Sequence, residues 1–195
     1  IIYHDLTLDF VKEDPDFFYR KYWPETAANG GKVIRMTMGI SYLYLPFFLT
    51  GHLMAGILSE PQTGFSWPYQ CCVLFGCLFY LIIGLIFLAR ILKRFFTEKI
   101  SALVILCVFG GTNLFCYSTI DGLMSHGFIF SLMCMMLYYT IKWHEHSDRK
   151  NSIKLGLLLG LLTLIRPIHI SLVLIPLLYG VSNWKELRDK LKMLI

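Results

Sequence analysis

The chain has 195 residues, of which 56% are hydrophobic and 16% charged, and its mean hydropathy is +0.59. Soluble domains carry about 45–50% apolar and about 25% charged residues, and a water-soluble globule of this size has no core large enough to hide the excess. Disordered, collagen-like and disulfide-scaffold chains are excluded by the same figures. The composition is that of a membrane protein.

The net charge is +5 at pH 7, and its placement says more than its size. Basic residues gather in 90–99 (Arg90, Lys93, Arg94, Lys99), in 142–154 (Lys142, Arg149, Lys150, Lys154) and in 185–192 (Lys185, Arg188, Lys190, Lys192). Segments 59–70 and 121–127 have none. This alternation follows the positive-inside rule and does not implicate nucleic acid as a partner.

Residues 1–35 form the long polar stretch, with Tyr3, Phe10, Phe17, Phe18, Tyr19, Tyr22 and Trp23 among the charges and Asn29-Gly30-Gly31 as a turn. That mix predicts amphipathic surface helices at headgroup level. Segment 36–58 is long enough to span, but Gly39, Pro46, Gly51 and His52 interrupt it. Hydropathy balances a full crossing against a helix that lies along or dips into the outer face.

At about 20 apolar residues per crossing, 71–89 is a span that stops at Arg90, 100–120 is a second and 126–141 a third. The basic loops then face the cytoplasm and Asp121 faces outward. Segment 152–181 is apolar except at Arg166-Pro167. One continuous helix would set its flanking basic clusters on opposite sides, and Pro167 would break its hydrogen-bond ladder. Two short helices, 152–165 and 168–183, turning back at Arg166-Pro167, keep both clusters inside. Their turn then dips below the outer surface and lines a cavity. The expected fold is an all-α integral membrane protein. It comprises an external loop (1–70) with amphipathic surface helices, about five transmembrane helices (71–184) and a basic cytoplasmic segment (185–195).

The six cysteines lie in apolar runs without metal-ligand spacing and read as packing residues. Gly156 and Gly160 form a small-xxx-small face that reads as helix packing. Walker, Rossmann, His-Glu-x-x-His and Gly-x-Ser-x-Gly patterns are absent from the sequence. The chain begins Ile-Ile and ends Met-Leu-Ile, so a fragment of a longer protein is expected.

Few residues offer chemistry. Asp121 is the sole carboxylate between 99 and 144 and stands at the outer end of a span. It is a functional candidate or a helix cap. Ser125-His126 follows, where a histidine can bind phosphate, ligate a metal, relay a proton or simply cap the helix. Arg166 is the sharper signal, because an arginine inside an apolar run costs about 2.5–3.5 kcal/mol unless it meets water or an anion. Its planar fork suits phosphate, and a snorkelling helix-end arginine is the plain alternative. His169, about one turn on, shares the neighbourhood.

The motifs IIYHDL at 1–6, Tyr22-Trp23, NGGKVIRMTMG at 29–39, LPFF at 45–48 followed by GHLMA, GFSWPYQ at 64–70, YSTIDGLMSHGF at 117–128 and GLLLGLLTLIRP at 156–167 resemble polytopic GT-C glycosyltransferases. The likeness is to bacterial relatives of the protein mannosyltransferase and aminoarabinose transferase type. It implies inverting transfer of a sugar from a polyprenyl-phosphate donor to a cell-envelope glycan, lipid or protein, on the outward face of the bacterial inner membrane. It favours an external position for 1–70. It assigns Asp121 to the acceptor or to a metal and sets Arg166, at the donor phosphate, and His126 facing one cavity; Lys32 or Arg35 from the external segment would help Arg166 stabilise the leaving phosphate, and His169, one turn from Arg166, would share the cavity. A divalent metal is compatible with the likeness, and the sequence identifies no ligands for one. The family's first acid follows its first transmembrane helix, so the main catalytic acid is expected upstream of Ile1. Asp5 and Asp9 are weaker substitutes, and residues 1–195 alone are expected to be inactive. Against this stand a transporter or flippase of lipid-linked substrates and a non-catalytic membrane subunit.

Overall fold

The computed structural model describes residues 25–33, 37–120, 122–146, 148–181, 183, 186 and 188. A two-stranded antiparallel hairpin, β1 (Glu25–Thr26) and β2 (Lys32–Val33), comes first. The helices α1 (Gly39–Ile57), α2 (Trp67–Leu92), α3 (Glu98–Gly111), α4 (Leu114–Thr119), α5 (Ser125–Glu145) and α6 (Arg149–Ile165) follow. A 3-10 helix (Pro167–Val173) and α7 (Leu174–Leu178) complete the order. Apart from the small hairpin the fold is all-α. Among the described residues two helices are long and apolar enough to cross a membrane: α1, with 19 residues and mean hydropathy 1.3, and α2, with 26 residues and mean hydropathy 2.8.

The polar N-terminal segment turns at Asn29-Gly30-Gly31 as expected, and departs from a surface helix on either side of that turn. Residues 25–33 form the β-hairpin rather than a surface helix, because Gly30 takes a φ of 81° and Asn29 Oδ1 accepts the Gly31 N–H at 3.1 Å. A left-handed glycine closes a tight turn and ends any helix. The remaining expected surface helices, in 1–24, lie outside the described residues.

Segment 71–89 lies wholly within α2, 126–141 within α5 and 152–165 within α6. Segment 100–120 is not one helix. It divides into α3 and α4 at Thr112, whose backbone is extended (φ −122°, ψ 171°). The Thr112 hydroxyl donates to the Val108 carbonyl at 2.6 Å and accepts the Leu114 N–H at 3.2 Å. A side chain that competes for backbone partners, just after Gly110-Gly111, stops the helix there. Segment 168–183 also departs from an α-helix, since its first six residues belong to the 3-10 helix Pro167–Val173. The chain does turn back at Arg166-Pro167, and Tyr179 returns to within 4.9 Å of the His144 ring at the far end of α5. A 3-10 helix rises about 2.0 Å per residue against about 1.5 Å in an α-helix, so a short arm covers more depth.

The helices pack around α2. Its N-terminal half runs antiparallel to α1, with Gly51 against Tyr69 and Phe47 against Gly76. Its C-terminal half runs parallel to α5, with Tyr80 on Phe128 at 5.1 Å and Phe87 on Tyr138 at 5.1 Å. Helices α5 and α6 are antiparallel neighbours, since Trp143 Nε1 donates to Ser152 Oγ at one end and Arg166 meets Ser125 at the other. Leu43, Cys77, Phe128, Leu132, Met136, Leu158 and Leu162 lie in the core these helices share. Small residues at the contacts let these helices approach closely. Gly84 shows this: a Cβ there would lie 2.8 Å from Ser131 Cα, and the Ser131 hydroxyl donates to the Tyr80 carbonyl across the same contact.

The outer surface is the reverse of a soluble protein's. Phe75, Leu106 and Leu157 are 64%, 67% and 69% exposed. Apolar exposure on this scale marks a surface meant for lipid or a partner. Gly156 and Gly160 belong to it, since nothing lies within 4 Å of where their Cβ atoms would be. Among the described residues the small-xxx-small face packs on nothing.

Candidate functional site

The two ends of the bundle differ in chemistry. One holds the C-termini of α2 and α5 and the N-terminus of α6, and so brings the 90–99 and 142–154 clusters together, as expected. The other holds the N-terminus of α5, the C-terminus of α6 and the start of α1. There the Thr37 hydroxyl donates to the Ile165 carbonyl and the Tyr44 hydroxyl to the Leu123 carbonyl. Gly39 sits against Leu164 and Ile165 so closely that a Cβ would lie 2.5 Å from the Ile165 nitrogen. Helix α1 therefore starts at the Arg166 end.

Arg166 is exposed at this end, and its Nη2 donates to Ser125 Oγ at 3.0 Å. It stands there because Pro167 has no N–H with which to continue α6. Arg166 itself is extended (φ −146°, ψ 118°), while its own N–H still closes the last helical bond to Leu162. The guanidinium has five N–H donors, and among the described residues no carboxylate pairs with it. His126, the next residue on α5, stacks on Tyr117 of α4 with ring centroids 4.2 Å apart and an interplanar angle of 21°. Arg166 thus reaches the residue next to His126 at the start of α5. Met124, which precedes α5, supplies no side-chain cap, so the first-turn N–H groups and the positive end of the helix dipole add to an anion-favouring field.

The site is exposed but set back from the tip of the α1–α2 hairpin. Phe128 lies level with Tyr80, so Ser125, one turn nearer the end, lies about ten residues short of the α2 N-terminus at Trp67, or about 15 Å down. The α1–α2 hairpin stands above it. A shallow, mostly apolar groove of about 440 Å³ beside the Arg166-Pro167 turn is lined by Leu159, Gly160, Thr163, Leu164, Pro167, Ile170 and Val173.

Of the other candidates, His169 is half-buried, with Nδ1 3.2 Å from the Leu162 carbonyl. A carbonyl only accepts, so Nδ1 carries the proton, and the ring adds a second hydrogen bond to an oxygen that already accepts the Arg166 N–H. Lys32 lies on β2, with Nζ donating to Thr26 Oγ1 at 3.2 Å, and no described contact brings it to Arg166. Asp121 and Arg35 lie outside the described residues. Among the described residues no three His, Cys, Asp or Glu side chains gather to hold a metal. Two participants were not legible in the sequence. Ser125 as the partner of Arg166 and Tyr117 as the platform under His126 both depend on which helix ends meet; the one hint is that both lie in the 117–128 motif with Asp121.

No family model matches the chain, and comparisons with curated proteins and with solved structures found no match.

Proposed function

We propose that the protein is a GT-C-type glycosyltransferase that takes a sugar from a polyprenyl-phosphate donor. The observation that carries this reading is Arg166, set back from the tip of the α1–α2 hairpin, hydrogen-bonded to Ser125 and without a described carboxylate partner. In such a reaction the leaving group is a lipid phosphate whose negative charge grows in the transition state. A fixed guanidinium beside a helix N-terminus stabilises that charge more than the ground state. The groove running from Pro167 suits the prenyl chain, and the Tyr117–His126 stack supplies a flat wall for a sugar ring. Asp121 lies four residues from both Tyr117 and Ser125 in sequence, and its assigned part is to orient or deprotonate the acceptor hydroxyl. The start of α1 at the Arg166 end supports placing the chain before it on the outward side, opposite the basic clusters.

The test uses membranes carrying the full-length protein, not residues 1–195 alone, and a panel of radiolabelled polyprenyl-phosphate sugars. Sugar leaves the lipid with wild type and stays on it with Arg166→Ala at equal expression. Full transfer by that variant would overturn the site, and movement of the intact lipid-linked sugar across the bilayer without transfer would favour a transporter.

A further inference from the structure

The basic end carries a second built cluster, unrelated to the Arg166 site. On α2 and the turn after it, Phe87, Arg90 and Arg94 follow at spacings of three and four residues; on α5, Tyr138, Lys142 and Glu145 follow at four and three. Each trio therefore lies on one helix face. The two helices run parallel here, so the faces meet, with the Phe87 and Tyr138 rings edge to face. Arg90 lies over Phe87 at 5.4 Å, while Arg94 and Lys142 both lie over Tyr138, at 5.5 and 5.2 Å. Glu145 pairs with Arg94. Among the described residues it is the one carboxylate paired with these three cations, and Arg90 and Lys142 have none.

Three cations held by two rings and offset by one anion repel one another, and a phosphodiester between them removes that repulsion. The rings fix the cations in place, which limits the ordering that binding would otherwise require. Ile82 and Ile86, 55% and 45% exposed, continue the Arg90 row along α2 in steps of four residues. Acyl chains can lie along that row while the headgroup meets the cations. We propose that this cluster binds the phosphate of an anionic phospholipid from the leaflet at the basic end. The proposal goes beyond the transferase reading and does not depend on it.

Native mass spectrometry of the membrane-purified, delipidated protein tests it, with phosphatidylglycerol and phosphatidylcholine of the same acyl chains as probes. Wild type should retain phosphatidylglycerol in preference, and Arg90→Gln with Lys142→Gln should weaken that preference on the order of thirtyfold. Lys99→Gln with Lys150→Gln, an equal charge change away from the rings, should leave it in place. Equal retention of both lipids, or an equal loss in the second pair, would overturn the proposal, as would displacement of the lipid by millimolar inorganic phosphate. A photoactivatable phosphatidylglycerol on wild type gives a readout free of variant folding: adducts in 82–94 and 138–145 support the site, and adducts confined elsewhere refute it.

Discussion

Arg166 and Ser125, 41 residues apart in the chain, meet at 3.0 Å where the end of α6 lies beside the start of α5. The antiparallel course of those helices creates the pair, and the proline after Arg166 fixes how far α6 extends. An arginine that hydropathy marks as anomalous thus becomes the head of a polar site set back from the hairpin tip.

Substitutions at this pair should separate charge from positioning. On the transferase reading, Arg166→Ala should lower transfer by about 10²–10³-fold, the range for losing one preorganised donor. Ser125→Ala removes only the hydroxyl that holds the guanidinium, and should lower transfer by about tenfold or less. Arg166→Lys keeps the charge without the fork and should fall between them. Rates measured at matched expression decide this, and equal losses for Ser125→Ala and Arg166→Ala would remove the distinction.

The glycines give a contrast in stability. Gly84→Ala brings a methyl within 2.8 Å of Ser131 Cα and 2.7 Å of its hydroxyl, and should destabilise the α2–α5 contact by about 1–3 kcal/mol. Gly156→Ala meets nothing within 4 Å and should be neutral, or stabilising by up to about 1 kcal/mol through helix propensity. Thermal unfolding in detergent reads both. An unchanged Gly84→Ala protein would contradict the packing of these helices.

Sidedness follows from the ends of the bundle. Thr63, in the connection between α1 and α2, and Lys150, in the first turn of α6, are both exposed. Single cysteines at these positions, in a background without the six native ones, should react with an impermeant maleimide from opposite sides. Labelling of both from the same side would overturn the topology.

The Lys93 ammonium, hydrogen-bonded to Glu98 at 2.8 Å, holds the Glu98 carboxyl below its ordinary range, first through that bond and then through its charge. A folded-state value below the unfolded one makes the contribution present at neutral pH and lost as pH falls through the folded value. Glu98 is exposed, so salt screens the pair. Glu98→Gln should lower the melting temperature slightly at neutral pH and low salt, and not measurably in high salt or at acid pH. A large, salt-independent loss would show that Glu98 does more than pair with Lys93.

Much of the architecture is legible in one dimension. The run 71–89 is apolar without interruption and lies wholly in α2, since a bilayer-length apolar stretch satisfies its backbone best as a helix. Pro167 ends α6 where its missing N–H requires, and the chain turns back there. Both follow from local covalent chemistry and hydropathy. Thr112 was less visible, because a threonine breaks a helix only when its hydroxyl wins a backbone partner, as it does with Val108 and Leu114.

Tertiary structure decided the rest. Which rings stack, Tyr117 on His126 at one end and Phe87 on Tyr138 at the other, depends on the rotation and register of helices distant in sequence. So does the difference between Gly84, which lets two backbones approach, and Gly160, which faces open space. Composition and spacing determine what each helix is and where it stops. They carry no record of the angle at which it meets its neighbour, and that angle brings Arg166 to Ser125 and gathers Arg90, Arg94 and Lys142 around two rings.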